Sequence, residues 1–305
     1  LPVAVPFIAT WLFAWQIAYW INRPDKQQAV ALNADQERQL RILARHTWLF
    51  YDHFVGPDDN WLPPDHFQEA PRGVVAHRTS PTNVGMYLLS LLAAHDLGYV
   101  NYTNLALRLR FTFATLTQLE RYRGHFLNWI DTQTLAPLPP RYVSTVDSGN
   151  LAACLLTLRQ GCLALPQQPL LQWTWWQSFI DLLAMLANAL GNHQGESEQS
   201  RMQLHGYLEE TQQRILAARH QPDQWFALLT ALFTDGKREL DQRLIEFIEA
   251  NTTTLNTDTL RDYRVYADGI HQHLDNMQRE VDLLLPWLAF LSQPPEFFTQ
   301  APPAT

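Results

Sequence analysis

The chain has 305 residues, of which 47% are hydrophobic, with a formal net charge of −8, 11 Trp, 10 Tyr and 15 Phe. That is enough apolar material for one large core, and the absence of a Lys/Arg run in an acidic chain excludes the positive surface that nucleic acid requires. The two cysteines, Cys154 and Cys162, stand eight apart in what reads as one helix, about 12 Å apart at helical rise and so beyond disulfide reach; two free thiols suit a reducing compartment.

Residues 1–22 are apolar and uncharged, interrupted by Thr10, Gln16 and Asn22. The length approaches that of a bilayer-spanning helix. Trp15, Tyr19 and Trp20 suit an interface, and Arg23 and Lys26 suit a cytoplasmic flank. The reading is a membrane-associated segment with its linker over 1–24 and a helical domain over 25–305; the alternative is an apolar helix packed on that domain. A start at Leu1 and an end in PPAT suggest that both termini are cuts.

Helical periodicity then dominates. Asn33-Ala-Asp-Gln-Glu opens a helix from about Asp35 to Phe54. Residues 55–78 are broken by Gly56-Pro57, Pro63-Pro64, Pro71 and Gly73. Pro81 starts a helix that continues from Thr82 to Asp96, and another is expected from Tyr102 to Arg123, ending at Gly124. A second broken stretch covers 125–143, and helices follow at 145–164, 168–190, 196–218, 222–233, 237–250 and 261–292. The fold class is all-α, with polar-aromatic loops gathered at one end of the helices. Loops this long in a compact domain usually carry function.

Both loops combine Trp, Asp, Asn, His, Arg, Ser and Thr, the palette of a polysaccharide site. Sugar hydroxyls donate and accept together, and the C–H face of a pyranose lies against an indole. Trp61 and Trp129 are candidate platforms. Asn60, Asp65, His77, Arg78, Asn83, Asp131, Asp147 and Asn150 are candidate hydroxyl binders, with Thr79 and Ser148 beside them. Asp131 and Asp147 invite reading as a glycosidase pair, but Ser144-Thr-Val-Asp147 also matches a capping box, and capping or hydroxyl binding is the better assignment. His271 and His273 lie on opposite helix faces, so no metal is assigned, and no cofactor.

The runs GPDDNWLPPD, VAHRTSPTN, GHFLNWIDTQTLAPL and YVSTVDSGNL resemble, in order, the opening of the cyclisation domain of cyclic β-1,2-glucan synthases. The resemblance is strong over about Leu40 to Gly161 and weak afterwards, with LLPWL at Leu284–Leu288 a late echo. Leu127 and Ile130 stand where the family tends to have aromatic residues, and His66 where it has Asn. The resemblance implies an (α/α)6 toroid built of helical hairpins, truncated here, because about nine helices are legible where twelve are needed. It also implies anomer-retaining transglycosylation of linear β-1,2-glucan into rings. That chemistry uses two carboxyls about 5–5.5 Å apart, one with a raised pKa. The family's Glu-bearing motifs are absent, so the catalytic pair is expected beyond Thr305, and the chain alone is expected to be inactive and poorly soluble. The implied partners are the glucan chain, the other domains of the synthase and, through residues 1–22, the inner membrane, with the domain on its cytoplasmic side. The alternatives are a non-catalytic glucan-binding or scaffolding module and a β-1,2-glucanase-like hydrolase fragment.

Overall fold

The computed structural model describes residues 4–22, 31–191 and 197–292; Arg23, Lys26 and the Pro-rich tail lie outside these. The chain divides into two compact units, residues 1–40 and 41–305.

In the first unit, Pro6 sits in the opening turn of α1 (Val5–Leu12), and α2 (Ala14–Ile21) follows after Phe13 leaves the helical region at φ −99°, ψ 5°. The apolar segment is therefore two eight-residue helices rather than one continuous rod. Among the described residues no helix is long and apolar enough to cross a membrane. Large apolar side chains of both stand exposed, among them Trp11, Trp15 and Trp20. The third helix, α3 (Ala34–Phe54), begins with a reciprocal cap. Gln36 N–H donates to Asn33 Oδ1 (2.9 Å), and Asn33 N–H donates to Gln36 Oε1 (3.1 Å).

The second unit is mostly helical. Three of its helices start where Ser80, Asn101 and Ser144 accept N–H groups of α4 (Pro81–Asp96), α5 (Tyr102–Gln118) and α6 (Thr145–Ala164). Then come α7 (Trp173–Gly191), α8 (Glu198–Ala217), α9 (Trp225–Ala231), a π-type turn over Leu232–Gly236, α10 (Lys237–Ala250), α11 (Thr257–Leu284) and α12 (Leu288–Ser292).

Helices α4 and α6 are parallel neighbours. Thr82 meets Asn150 at their starts, a Cβ on Gly85 would lie 3.0 Å from Cys154 Sγ, and one on Gly161 would lie 2.3 Å from Leu92 Cδ2. Small residues thus let the two helices approach closely and put both N-termini at one end. In the chain between them α5 runs back, reaching the same end with Thr112 and Thr115, whose hydroxyls donate to the carbonyls of Trp61 (3.0 Å) and Asn60 (2.7 Å). A core of Leu62, Val84, Leu88, Leu116, Ile130, Leu151 and Leu158 underlies that end. Each such side chain contributes about 1.5–3 kcal/mol on burial. A larger core joins α7 to α11, and Trp175 and Trp176 are buried within it. Residues Leu127 and Ile130, where the resembled family has aromatics, are also buried.

Two stretches expected to be irregular contain strands. The helix expected to reach Arg123 stops at Gln118, because Arg123 and Gly124 take φ +50° and +88°. Two consecutive positive-φ residues make the tight turn of a hairpin, here pairing β4 (Arg121–Tyr122) with β5 (His125–Phe126). A second small hairpin pairs β1 (Phe67–Gln68) with β2 (Val74–Val75). A three-stranded antiparallel sheet has the order β3 (Arg78–Thr79), β6 (Asn128–Asp131), β7 (Pro137–Tyr142). The prolines of β7 lack ladder donors and are tolerated because that strand is an edge. The register sets Arg78 opposite Asp131 and Thr79 opposite Ile130, so the two loops close on one another.

Candidate functional site

The site grows from one carboxylate. Asp65 Oδ2 accepts from Arg78 Nε (3.2 Å) and Nη2 (3.0 Å), and its Oδ1 accepts from Asn83 Nδ2 (3.2 Å). His66, at the third departure from the family pattern, contacts Oδ2 through Nδ1 at 3.0 Å. Burial pushes the Asp65 carboxyl up, but the bonds from Arg78, His66 and Asn83 outweigh it and hold the group below the usual carboxylate range. The Arg78 guanidinium also lies 5.2 Å from the centroid of the Trp129 ring, a cation–π contact. Four of the residues singled out in the sequence (Asp65, Arg78, Asn83 and Trp129) therefore form one connected cluster drawn from both loops and the first turn of α4.

A second station lies alongside. Asp59, only 5% exposed, takes a contact from His77 Nδ1 at 2.8 Å and a short hydrogen bond from the Thr132 hydroxyl. Neither Asp59 nor Thr132 stands out in the sequence. Asp58 and Asp59 are adjacent and chemically identical, and only the 3-10 turn over Pro57–Asp59 buries one and exposes the other.

Asn60 ties the loops together. Its Nδ2 donates to the carbonyls of Thr132 (2.8 Å) and Gln133 (2.9 Å). Trp61 is placed differently from Trp129: its ring stacks on Phe111 at 4.8 Å and 19°, in the wall of a cavity of about 430 Å³ that Arg45, Asp52, Tyr99 and Arg108 also line.

Asp131 folds its own turn. Oδ1 accepts from Thr134 N–H (2.7 Å), Thr134 Oγ1 (2.9 Å) and Gln133 N–H (3.0 Å). The Thr134 amide is the largest reason its carboxyl sits below the ordinary value. Asp147, in the first turn of α6, reaches across to the start of α4. Burial raises its carboxyl, but bonds from Ser144, Thr82 and Ser80 outweigh that and lower it. Asn150 Nδ2 donates to Thr82 Oγ1 at 3.1 Å. Thr79 is fully buried beneath the sheet, and its hydroxyl, like that of Ser148, has no hydrogen-bond partner among the described residues.

Chemically, this rim offers ionised acceptors (Asp65, Asp131, Asp147), amide and guanidinium donors (Asn83, Asn150, Arg78) and one half-buried indole. A glycosidase acid needs a raised pKa, and all three carboxyls are lowered. The arrangement suits holding hydroxyls rather than delivering protons. Among the described residues no group of three or more His, Cys, Asp or Glu gathers as a metal site.

No family model matches the chain. Over 161 residues, 52% of its length, the chain is 39% identical to the cyclic beta-(1,2)-glucan synthase NdvB of Rhizobium meliloti (strain 1021), and it spans about 6% of the length of that much larger protein.

Proposed function

We propose that the chain is the N-terminal part of the glucan-cyclisation domain of a cyclic β-1,2-glucan synthase, and that its loop rim forms part of the substrate groove. The observation that carries the reading is the 39% identity over 161 residues to a protein of that name. The parallel α4–α6 pair with α5 returning between them supports a partial (α/α)6 toroid, in which inner helices share a direction and outer ones oppose it. Linear β-1,2-glucan lies across Asp65, Arg78, Asn83, Trp129, Asp131, Asp147 and Asn150. There hydroxyl pairs meet carboxylates and amides, and a pyranose face meets the Trp129 indole. The two carboxylates of retaining transglycosylation belong to residues outside this chain. The exposed aromatic side chains of α1 and α2 support membrane contact by residues 1–22; a cytoplasmic position for the domain is proposed from Arg23 and Lys26 in the sequence alone.

The test is to incubate the parent protein with linear β-1,2-glucan and resolve the products by mass. Rings that vanish in Arg78→Ala and Asp131→Ala place this rim in the groove. A folded parent giving neither rings nor shortened chains refutes the enzyme reading. A second reading is a glucan-binding module without its own chemistry; the lowered pKa of Asp65, Asp131 and Asp147 is compatible with it as with the first. It predicts binding by the parent with no change in the glucan.

A further inference from the structure

We infer that Asp59 is a positioning residue that fixes the His77 proton on Nδ1, so that the neutral imidazole presents Nε2 as an acceptor to a hydroxyl of the bound glucan. The inference rests on the proposed groove and adds to it a residue pair and a direction of hydrogen bonding.

An ionised carboxylate only accepts. Asp59 Oδ1 takes the Thr132 hydroxyl and lies 2.8 Å from His77 Nδ1, so the proton of that second bond sits on Nδ1. A neutral imidazole carries one N–H, which leaves Nε2 with its lone pair free. The side chain of Asp59 is 7% exposed while that of His77 is 39% exposed, so the ring spans from a buried anchor to the surface, and Nε2 has no protein partner among the described residues. Holding the loops together does not require this pair. The Asn60 amide bridges to Thr132 and Gln133, and Thr132 N–H donates to the His77 carbonyl at 3.1 Å. To the carboxylates, amides, guanidinium and indole of the rim, His77 adds one imidazole nitrogen.

Two substitutions separate the nitrogens. Gln places an amide at about the reach of Nε2, whereas Asn places one near Nδ1. The chain is labelled with [15N]histidine and examined at pH 8, where an ordinary imidazole is neutral. Two-bond proton–nitrogen correlations are expected to assign His77 as the Nδ1–H tautomer, and Asp59→Asn is expected to move the population toward Nε2–H. Titration with a linear β-1,2-glucan oligosaccharide is expected to weaken about fivefold in Asp59→Asn and His77→Asn, the loss of one ordinary hydrogen bond. His77→Gln is expected to stay within about twofold of wild type on the same scale. An Nε2–H tautomer in the wild type, or unaltered binding in His77→Asn, overturns the inference and leaves the groove standing. A folded wild-type parent protein that does not bind the oligosaccharide refutes the groove itself, whatever tautomer the spectra show.

Discussion

Replacing Gly98 by Ala separates two costs that a glycine can conceal. Gly98 follows α4 at φ +80°, and a Cβ there would lie 2.1 Å from the Thr174 carbonyl oxygen and 2.4 Å from its carbon, in the first turn of α7. The left-handed conformation alone costs an Ala about 1 kcal/mol. The clash is with backbone, which cannot swing aside as a side-chain tip does, and overpacking adds about 1–3 kcal/mol. The total is about 2–4 kcal/mol, a large share of an ordinary domain's stability. Gly124 is the internal control. It also has positive φ, at +88°, but nothing lies within 4 Å of its Cβ position, so Gly124→Ala carries only the conformational cost of about 1 kcal/mol. Urea unfolding of both variants, with the m-value checked for constancy, gives the comparison. Because Gly98 lies at the far end of α4 from Asn83, binding per folded molecule is expected to be unchanged. Equal destabilisation by the two substitutions, or a Gly98→Ala effect below that of Gly124→Ala, refutes the close-approach argument.

Other expected outcomes follow from the charged groups. His273 is buried and donates from Nε2 to the Trp175 carbonyl at 2.9 Å. Burial, reinforced by Arg45, pushes its pKa down to about 3. The unfolded chain therefore binds this proton first, and stability is expected to fall as pH drops below about 6.5, with His273→Phe flattening that limb in urea midpoints measured from pH 7 to 4. Asp65, Asp131 and Asp147 all have lowered folded-state pKa values. Their contribution is complete above the ordinary carboxylate range and is lost as pH falls through the lowered values, so glucan binding and rim order, read by Trp fluorescence, are expected to fail together on acidification. Glu280, 1% exposed, accepts the Thr103 N–H at the start of α5. Glu280→Gln is expected to cost about 1 kcal/mol through loss of the charge-assisted bond, read as a lower urea midpoint. Arg78→Lys keeps the charge but loses both the fork on Asp65 and the stack on Trp129, and is expected to weaken oligosaccharide binding about as much as Arg78→Ala.

The helices were legible because caps and apolar spacing are local. Asn33, Pro81 and Ser144 mark starts in the sequence that the structure keeps within a residue or two. The strands were not legible, because β3 and β6 are short and exist only by pairing across about 50 residues of chain, and a Pro-rich edge such as β7 looks like any loop. The end of α5 was misplaced because Arg123-Gly124 reads equally well as a helix stop or a hairpin turn. In the site, charged and aromatic loop residues could be named from composition, but not sorted. Only burial distinguishes Asp59 from Asp58, and only packing shows that Trp61 leans on Phe111 while Trp129 carries Arg78. Thr79 shows the same limit, since its strand turns it inward.

The β3–β6–β7 sheet gives the two rim loops a shared inheritance. Loops on the ends of helices ordinarily lengthen and shorten freely among relatives. Here a residue inserted on one side of Thr79 or Ile130 would slip the ladder and turn Arg78 off Trp129. The two segments must therefore vary in concert, whereas the β4–β5 hairpin, which pairs only with itself, can grow without disturbing the ladder.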